Sequence, residues 1–351
     1  MGLFDDVLKA NESLIKNEAA LDYEYLPKSF PYRENEQQYF ATCMKPLFHN
    51  RSGRNLMIFG PPGIGKTAAV RHVLRQLEEE TDEINVIFIN CWQHNTTYKV
   101  LLEMCDQLGY KFTQNKKTVD LYKVVSQIIN KSGAVIVFDE IDKAEEFDFL
   151  YFVLEEIYHK TIFLITNYKS WLVDLDERIK SRLIPELQEF RPYSPVETLG
   201  IMKLRKDEAF VPSVWDKDAF DLVAEKTSKL KDVRSGLFLL KESALQAEEK
   251  SQKKILVNDV KEAIKKLDDF TIKNSALLEE ETKIIYDLIK ENSGKKIGDL
   301  YKVYQKQGGV SSYKTFQRKI AKLEEGKFVQ TTKQTGAGGN TTIVEKKITD
   351  F

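Results

Sequence analysis

Four short stretches hold residues whose types and spacing could do phosphate chemistry. Gly60-Pro61-Pro62-Gly63-Ile64-Gly65-Lys66-Thr67 fits G-x-x-x-x-G-K-[ST]. Its glycines let the backbone turn tightly and approach an anion with no Cβ in the way. Successive N–H groups then face one concavity and meet the positive end of the following helix. Pro62, Gly63, Ile64, Gly65, Lys66, Thr67 and Ala68 would wrap the phosphates of ATP or ADP. Lys66 would reach the β- and γ-phosphates, and the Thr67 hydroxyl would hold Mg²⁺. Roughly seventy residues on, Ala134 to Asp142 reads AVIVFDEID, an apolar run ending in acids. Asp139 would bind Mg²⁺, directly or through water, and Glu140 would orient an attacking water. Thr161 to Asn167, TIFLITN, repeats the pattern, and the order of motifs gives Asn167 the role of holding that water against the γ-phosphate. Asp176 to Leu183, DERIKSRL, puts Arg178 and Arg182 one helical turn apart. An arginine there can project towards a neighbouring subunit's nucleotide, and such a finger raises phosphoryl transfer by about 10³–10⁵-fold.

These residues need a scaffold. Leu56 to Phe59, Asn85 to Asn90, Ala134 to Asp139 and Thr161 to Asn167 are apolar runs of strand length, separated by helical patterns such as Ala68–Leu77, Asn95–Leu108 and Val119–Ile129. Strands alternating with helices imply a parallel α/β sheet. Before it, residues 1 to 20 read as a polar, helical, loosely attached start. Asp22 to Arg33, DYEYLPKSFPYR, is an aromatic arm in which Pro27 and Pro31 forbid regular helix. It reads either as a linker packing its rings on the domain or as an arm laid over the nucleotide. Glu34 to Phe48 is a helix. The stretch Phe190 to Pro195 ends the α/β regime, and Val196 to about Asp268 is helical throughout, a small lid. Within it Arg234, near a helix start, could bind phosphate or lie on the surface.

From Ser275 the pattern is three helices, Leu277–Glu291, Lys296–Lys306 and Ser312–Glu325. Two β-branched strands follow, Phe328–Lys333 and Thr341–Lys347, joined by the glycine-rich tip Gln334–Asn340. That is a winged-helix outline. Twelve Lys or Arg against four Asp or Glu give Lys295–Lys347 a charge of +8, in a chain of net charge −1. A basic module on an acidic body is a footprint of nucleic-acid binding. Lys314, Thr315, Arg318 and Lys322 on the third helix could face a major groove, and Lys333 sits on the wing.

At 351 residues the chain is long enough for about two or three domains. Apolar content of 42% supports real cores, and no apolar run reaches the ~18 residues of a membrane span. Three cysteines, an odd set, are consistent with reduced thiols in a cytosol.

The pieces, in this order, resemble the archaeal replication initiators related to the eukaryotic origin recognition complex and its cell-division-cycle loader, within the AAA+ ATPases. The resemblance rests on YLPKSFPYRENE (Tyr25–Glu36), GPPGIGKTAAV (Gly60–Val70), VIVFDEID (Val135–Asp142), ITN (Ile165–Asn167), FRPYSPVETLGIMKLR (Phe190–Arg205) and the winged-helix end. It implies that Lys66 and Thr67 are Walker A residues, Asp139 and Glu140 Walker B, Asn167 sensor 1 and Arg234 sensor 2, with Tyr193 and Arg205 lining the nucleotide. It implies that Gln93 to Lys117 is the initiator-specific element that touches DNA. The chain departs from the family at Lys231, where a glycine is usual before Asp232, at Thr113–Lys117, which lacks a glycine often seen there, and in carrying Arg182.

The expectation is therefore an α/β, AAA+ parallel-sheet nucleotide-binding base at 1–190, a helical lid at 191–272 and a winged-helix DNA-binding domain at 273–351. It would be a cytoplasmic, nucleoid-associated replication initiator and weak ATPase, with ATP/ADP and Mg²⁺ as cofactors. Its partners would be double-stranded origin DNA, an MCM-type helicase and further copies of itself on DNA, with no membrane. The alternatives are a nucleotide-gated winged-helix transcription regulator and an ATPase helper of a mobile element.

Overall fold

The computed structural model describes residues 13–276, 280–309, 311–325, 328–336 and 339–346. Two compact units divide the chain, Met1–Lys241 and Glu242–Phe351.

The first unit is built on five parallel strands, β1 (Leu56–Phe59), β2 (Asn85–Asn90), β3 (Ala134–Asp139), β4 (Lys160–Thr166) and β5 (Glu186–Glu189), in the order β2-β3-β4-β1-β5. Alternation along the central strands feeds two cores, since successive side chains take opposite faces. Ile136 and Phe138 of β3 and Ile162 and Leu164 of β4 join the core beneath α3 (Thr97–Gln107), α4 (Thr118–Ile129), α5 (Asp148–Glu156) and α7 (Glu177–Leu183). Val135, Val137, Phe163 and Ile165 join Leu56 and Ile58 in the core beneath α1 (Glu34–Met44) and α2 (Lys66–Glu80). A one-turn helix, α6 (Trp171–Asp174), precedes α7. The register sets Phe59 beside Thr166 and Asn90 beside Asp139, so the carboxyl ends of the strands finish along one rim. Ligands of open α/β sheets bind outside that rim.

The expected loose, helical start is corrected. Residues 13–17 are not helical. Ile15 forms an antiparallel bridge with Phe210, the backbone N–H groups of Lys16 and Asn17 donate to Ala209, and Leu14, Ala20 and Leu21 are buried. Only Glu18–Leu21 makes a 3₁₀ turn. The apolar residues Leu14, Ala20 and Leu21 gain more by docking than a polar helix would in solvent. Residues 1–12 lie outside the described residues.

After β5 come α8 (Pro195–Ala209), α9 (Lys217–Leu230), α10 (Val233–Glu249) and α11 (Val257–Ala276). Ser194 and Glu197 close a capping box on α8, and Asp216 caps α9.

In the second unit α12 (Glu280–Glu291), α13 (Ile297–Lys306) and α14 (Tyr313–Glu325) pack with a three-stranded antiparallel sheet of β6 (Lys295–Lys296), β7 (Val329–Gly336) and β8 (Gly339–Lys346), order β6-β8-β7. This is a winged-helix arrangement. Ile289, Leu300, Tyr304, Phe316, Ile320, Leu323, Val329 and Val344 form its core. The strands run further into the glycine-rich tip than their β-branched residues predict, to Gly336 and from Gly339. The tip itself and the start of the first helix lie outside the described residues.

Candidate functional site

The rim of the sheet gathers the phosphate-chemistry residues from three strands. β1 ends at Gly60, whose φ of +150° opens the loop, and Gly63 and Gly65 take φ of +75° and +84°. A side chain at Gly63 would collide with Asp232 Oδ1 at 2.0 Å, so glycine is required there on both counts. Gly65 is the N-cap of α2, which starts at Lys66.

Lys66 is 7% exposed and all three of its protons are placed. Nζ donates to the carbonyls of Gly60 (2.7 Å) and Pro61 (2.8 Å) and to Asn167 Oδ1 (2.9 Å). Burial pushes its pKa down to about 8, against the pull of the Asp139 carboxylate. A phosphate oxygen reaching Nζ would compete with two neutral carbonyls and relieve that desolvation, which favours the anion. Thr67 Oγ1 donates to Asp139 Oδ2 at 3.0 Å, and the backbone N–H of Glu140 donates to Oδ1 at 3.0 Å. Burial nevertheless pushes the Asp139 pKa up to about 6, with the Thr67 bond opposing. A desolvated carboxylate beside a hydroxyl is a hard-oxygen pair that fits Mg²⁺. Glu140 follows in the left-handed region at φ +51°, a strained conformation for a non-glycine residue.

Two hydrogen-bonded pairs, Lys66 with Asn167 and Thr67 with Asp139, thus meet at adjacent loop residues, with Glu140 next to Asp139. Arg234 opens α10. Its charge is close enough to help depress Lys66, and its backbone N–H and guanidinium both address Asp232, at 2.9 and 3.7 Å. The Val233 N–H donates to the Gly63 carbonyl at 3.0 Å, so the lid turn is bonded directly to the phosphate loop. Tyr193 is buried, its hydroxyl 3.0 Å from where a Gly65 Cβ would sit.

Three named residues are engaged elsewhere. Arg205 is buried in α8 and donates to the carbonyls of Ala20 (3.2 Å) and Tyr25 (3.1 Å), holding the start of the arm. Arg178 is clasped by its own N-cap, Asp176, with Nε and Nη2 each at 3.1 Å, on an exposed face of α7. Arg182 pairs with Glu155, caps the Arg178 carbonyl at 3.0 Å and lies over the Tyr151 ring.

The aromatic arm runs along α2. Phe30 stacks on His72, with centroids 5.8 Å apart, and Arg75 donates to the carbonyls of Leu26 and Pro27. Phe30 also approaches Gly65. The structure shows the first of the two readings, with the Phe30 ring packed on the domain beside the phosphate loop. The residue that locks the arm, Arg33, was missed by sequence reasoning. Its identity alone carries no signal, because an arginine before a helix is ordinarily solvated.

On α14, Lys314, Arg318 and Lys322 form an exposed stripe at i, i+4, i+8, with Thr315 beside it, opposite buried Phe316, Ile320 and Leu323. The Thr315 N–H donates to Ser312 Oγ at 3.3 Å, capping the helix. Glu324 ties α14 to the wing by accepting from the Thr331 N–H and hydroxyl at 3.0 and 2.6 Å. Lys333 lies on β7 opposite Thr342. In the segment Gln93–Lys117, Phe112 is 80% exposed in the loop after α3, next to three lysines. Asn115 there takes φ +59°, supplying the left-handed corner that a glycine would otherwise make. Among the described residues no helix is long and apolar enough to cross a membrane.

The comparisons with known proteins agree with this architecture. Residues 49–166 match the AAA domain, and residues 199–265 match the Cdc6 AAA+ ATPase-type lid domain. The chain is 32% identical to ORC1-type DNA replication protein 1 of Archaeoglobus fulgidus, over 92% of this chain and 84% of that one. It is 28% identical to ORC1-type DNA replication protein 2 of Methanosarcina mazei, over 98% and 96%. Among solved structures, the Aeropyrum pernix ORC1 protein in complex with DNA superposes with a TM-score of 0.69 at 24% identity, covering 95% of this chain and 94% of that one. The Aeropyrum pernix ORC2 protein, solved as ADPNP–ADP complexes, gives a TM-score of 0.70 at 16% identity, with the same coverage.

Proposed function

This chain belongs to the ORC1-type DNA replication protein family of archaeal initiators, and from that premise we propose that it binds origin DNA under the control of ATP and helps recruit and load an MCM-type helicase. The observation that carries the reading is the two hydrogen-bonded pairs at the sheet rim, Lys66 with Asn167 and Thr67 with Asp139, in a chain that also bears a basic winged-helix unit.

In this reading the backbone from Pro62 to Ala68 holds the phosphates, and Lys66 trades the carbonyls of Gly60 and Pro61 for phosphate oxygens. Thr67 and Asp139 would hold Mg²⁺, which when bound neutralises phosphate charge. Asn167 and Glu140 place and polarise a water for slow hydrolysis. Arg234 senses the phosphates from the lid, whose turn already bonds to Gly63. Arg178 and Arg182 compete for the role of a finger towards a neighbouring copy on DNA. Either would first give up its partner within the chain, Asp176 or Glu155. Tyr193 backs the loop at Gly65, and Arg205 acts on the nucleotide through the arm. ATP works mainly as a conformational clamp, with hydrolysis as the reset.

Lys314, Thr315, Arg318 and Lys322 would enter a major groove, with Lys333 on the wing, and Gln93–Lys117 would add contacts from the base. Footprinting on the source organism's own origin, with and without ATP, tests the proposal. Nucleotide-dependent protection stronger than on random DNA is expected, together with retention of the helicase on the same DNA. Protection confined to the protein's own promoter, without the helicase, would favour a nucleotide-gated transcription regulator instead.

A further inference from the structure

Arg33 closes the aromatic arm one residue before α1 and is fully buried. Its guanidinium lies between two rings, 4.7 Å from the Phe190 centroid and 4.2 Å from that of Tyr193. Nη2 donates to the Ile64 carbonyl at 3.3 Å and to the Arg191 carbonyl at 2.5 Å, and Nη1 to Glu36 Oε1 at 3.0 Å. One side chain is therefore tied to the phosphate loop, to the connector that leads from the sheet to the lid, and to α1.

A buried charge is costly to place, and here Nε has no partner among the described residues. An apolar side chain would fill the slot without that penalty, so packing does not explain a guanidinium. What only a planar cation with several donors can do is grip two carbonyls and stack both faces at once. The peptide that carries the Ile64 carbonyl also carries the Gly65 N–H, pointing the opposite way. Holding that carbonyl fixes the direction of a phosphate-facing donor. The Tyr193 ring under the guanidinium and Phe30 of the arm both pack against Gly65 as well.

We propose that Arg33 is a positioning residue that couples docking of the arm (22–33) and of the connector (190–193) to nucleotide binding. The inference rests on the nucleotide reading above and adds to it a second element that reports occupancy. Coupling is reciprocal: whatever factor arm docking contributes to nucleotide affinity, nucleotide returns to arm docking.

The test uses the full chain and three variants, Arg33→Lys, Arg33→Gln and Tyr193→Leu. Dissociation constants for ADP and ATP are measured beside hydrogen exchange of residues 22–33 with and without ADP, and the melting midpoint without nucleotide. In the wild-type chain ADP slows exchange in the arm. Arg33→Lys keeps the charge and loses the grip, so the nucleotide-free midpoint falls, and at a temperature where the variant is fully folded nucleotide affinity is still about tenfold lower and ADP no longer protects the arm. If the Arg33 variants do not fold, Tyr193→Leu removes one ring face, with a smaller loss of the same kind. Arg33→Lys binding ADP within about twofold of wild type, or arm exchange indifferent to ADP in the wild-type chain, overturns the coupling. Should the wild-type chain bind no nucleotide, the nucleotide reading fails and the coupling falls with it.

Discussion

The sheet rim and the α14 face solve opposite physical problems. At the rim Lys66 and Asp139 are 7% and 4% exposed, bonded to named neighbours, and held away from their ordinary pKa values by burial. On α14, Lys314, Arg318 and Lys322 stand in solvent on a helix whose other side is core. A wired, desolvated cluster assigns each member a geometric role and fails as a unit when one is removed. Solvated cations act by their number and field, additively, and salt screens them. The rim also stores strain that the described residues of the winged helix do not. Glu140 and Lys231 are left-handed non-glycine residues near the nucleotide loop, whereas the corresponding corners beside α13 are Gly294 and Gly308.

The largest expected effect breaks the rim outright. Lys66→Ala removes all three Nζ bonds and the charge proposed to meet the phosphates, and should weaken ATP binding by about 100-fold or more. Titration with a fluorescent ATP analogue measures it. DNA binding without nucleotide should be unchanged; loss of both together would mean that the two regions are not separable.

Asp139→Asn tests whether the rim is destabilising for the fold. The carboxyl pKa is raised to about 6 from 3.8, so the folded state disfavours the carboxylate. Its burden is therefore full above pH 6 and fades as the pH falls through 6 towards 3.8. Without nucleotide the variant should melt higher than wild type at pH 7–8, by an amount on the order of 1–3 kcal/mol, and the gap should close near pH 4. Thr67 and the Glu140 N–H can still find partners on an amide, which keeps the comparison fair. A variant less stable than wild type at pH 8 would show that the carboxylate's hydrogen bonds outweigh its desolvation.

A smaller effect is expected on α14. Arg318→Ala or Lys314→Ala should cost about 1 kcal/mol of DNA affinity each and flatten the salt dependence by about 0.9 per lost phosphate contact. Binding isotherms across a salt series read both. An unchanged slope would remove that residue from the interface, and a loss as deep as that of Lys66→Ala for ATP would mean that this face, too, is wired.

The same contrast explains what could be read from the sequence. β1, β3 and β4 were legible because a central strand buried on both faces must be a continuous apolar run. The phosphate loop was legible because few residue types tolerate its φ angles. β5, with the sequence ELQE, was not: it is an edge strand with alternating exposure, recruited by its backbone register with β1 rather than by side-chain pattern. β6 is two lysines long and exists only because β8 offers an edge. The docking of residues 14–21 and the grips of Arg33 and Arg205 depend on partners 31 to 195 positions away, which no local pattern encodes. The winged helix was legible through its alternation of core and charge, since each of its helices has one buried face.

The smallest effect expected lies at the hinge between the two behaviours. Lys231 is the C-cap of α9 at φ +54°, and the turn after it meets the phosphate loop through Asp232, packed against Gly63, and through the Val233 N–H, which donates to the Gly63 carbonyl. A non-glycine residue there costs about 1–2 kcal/mol in the folded state, and glycine gives back about 0.5–1 kcal/mol through the freer unfolded chain. Lys231→Gly should therefore stabilise by roughly 0.5 kcal/mol, about 1–2 °C in melting midpoint for a unit of this size. The lysine side chain is exposed, so no contact is lost with it. If the strain is merely local, ATP affinity stays at the wild-type value. If it instead holds the lid turn against Gly63, the glycine variant gains stability and loses ATP affinity together, and the corner at Lys231 then belongs to the wired region rather than to the solvated surface on which it lies.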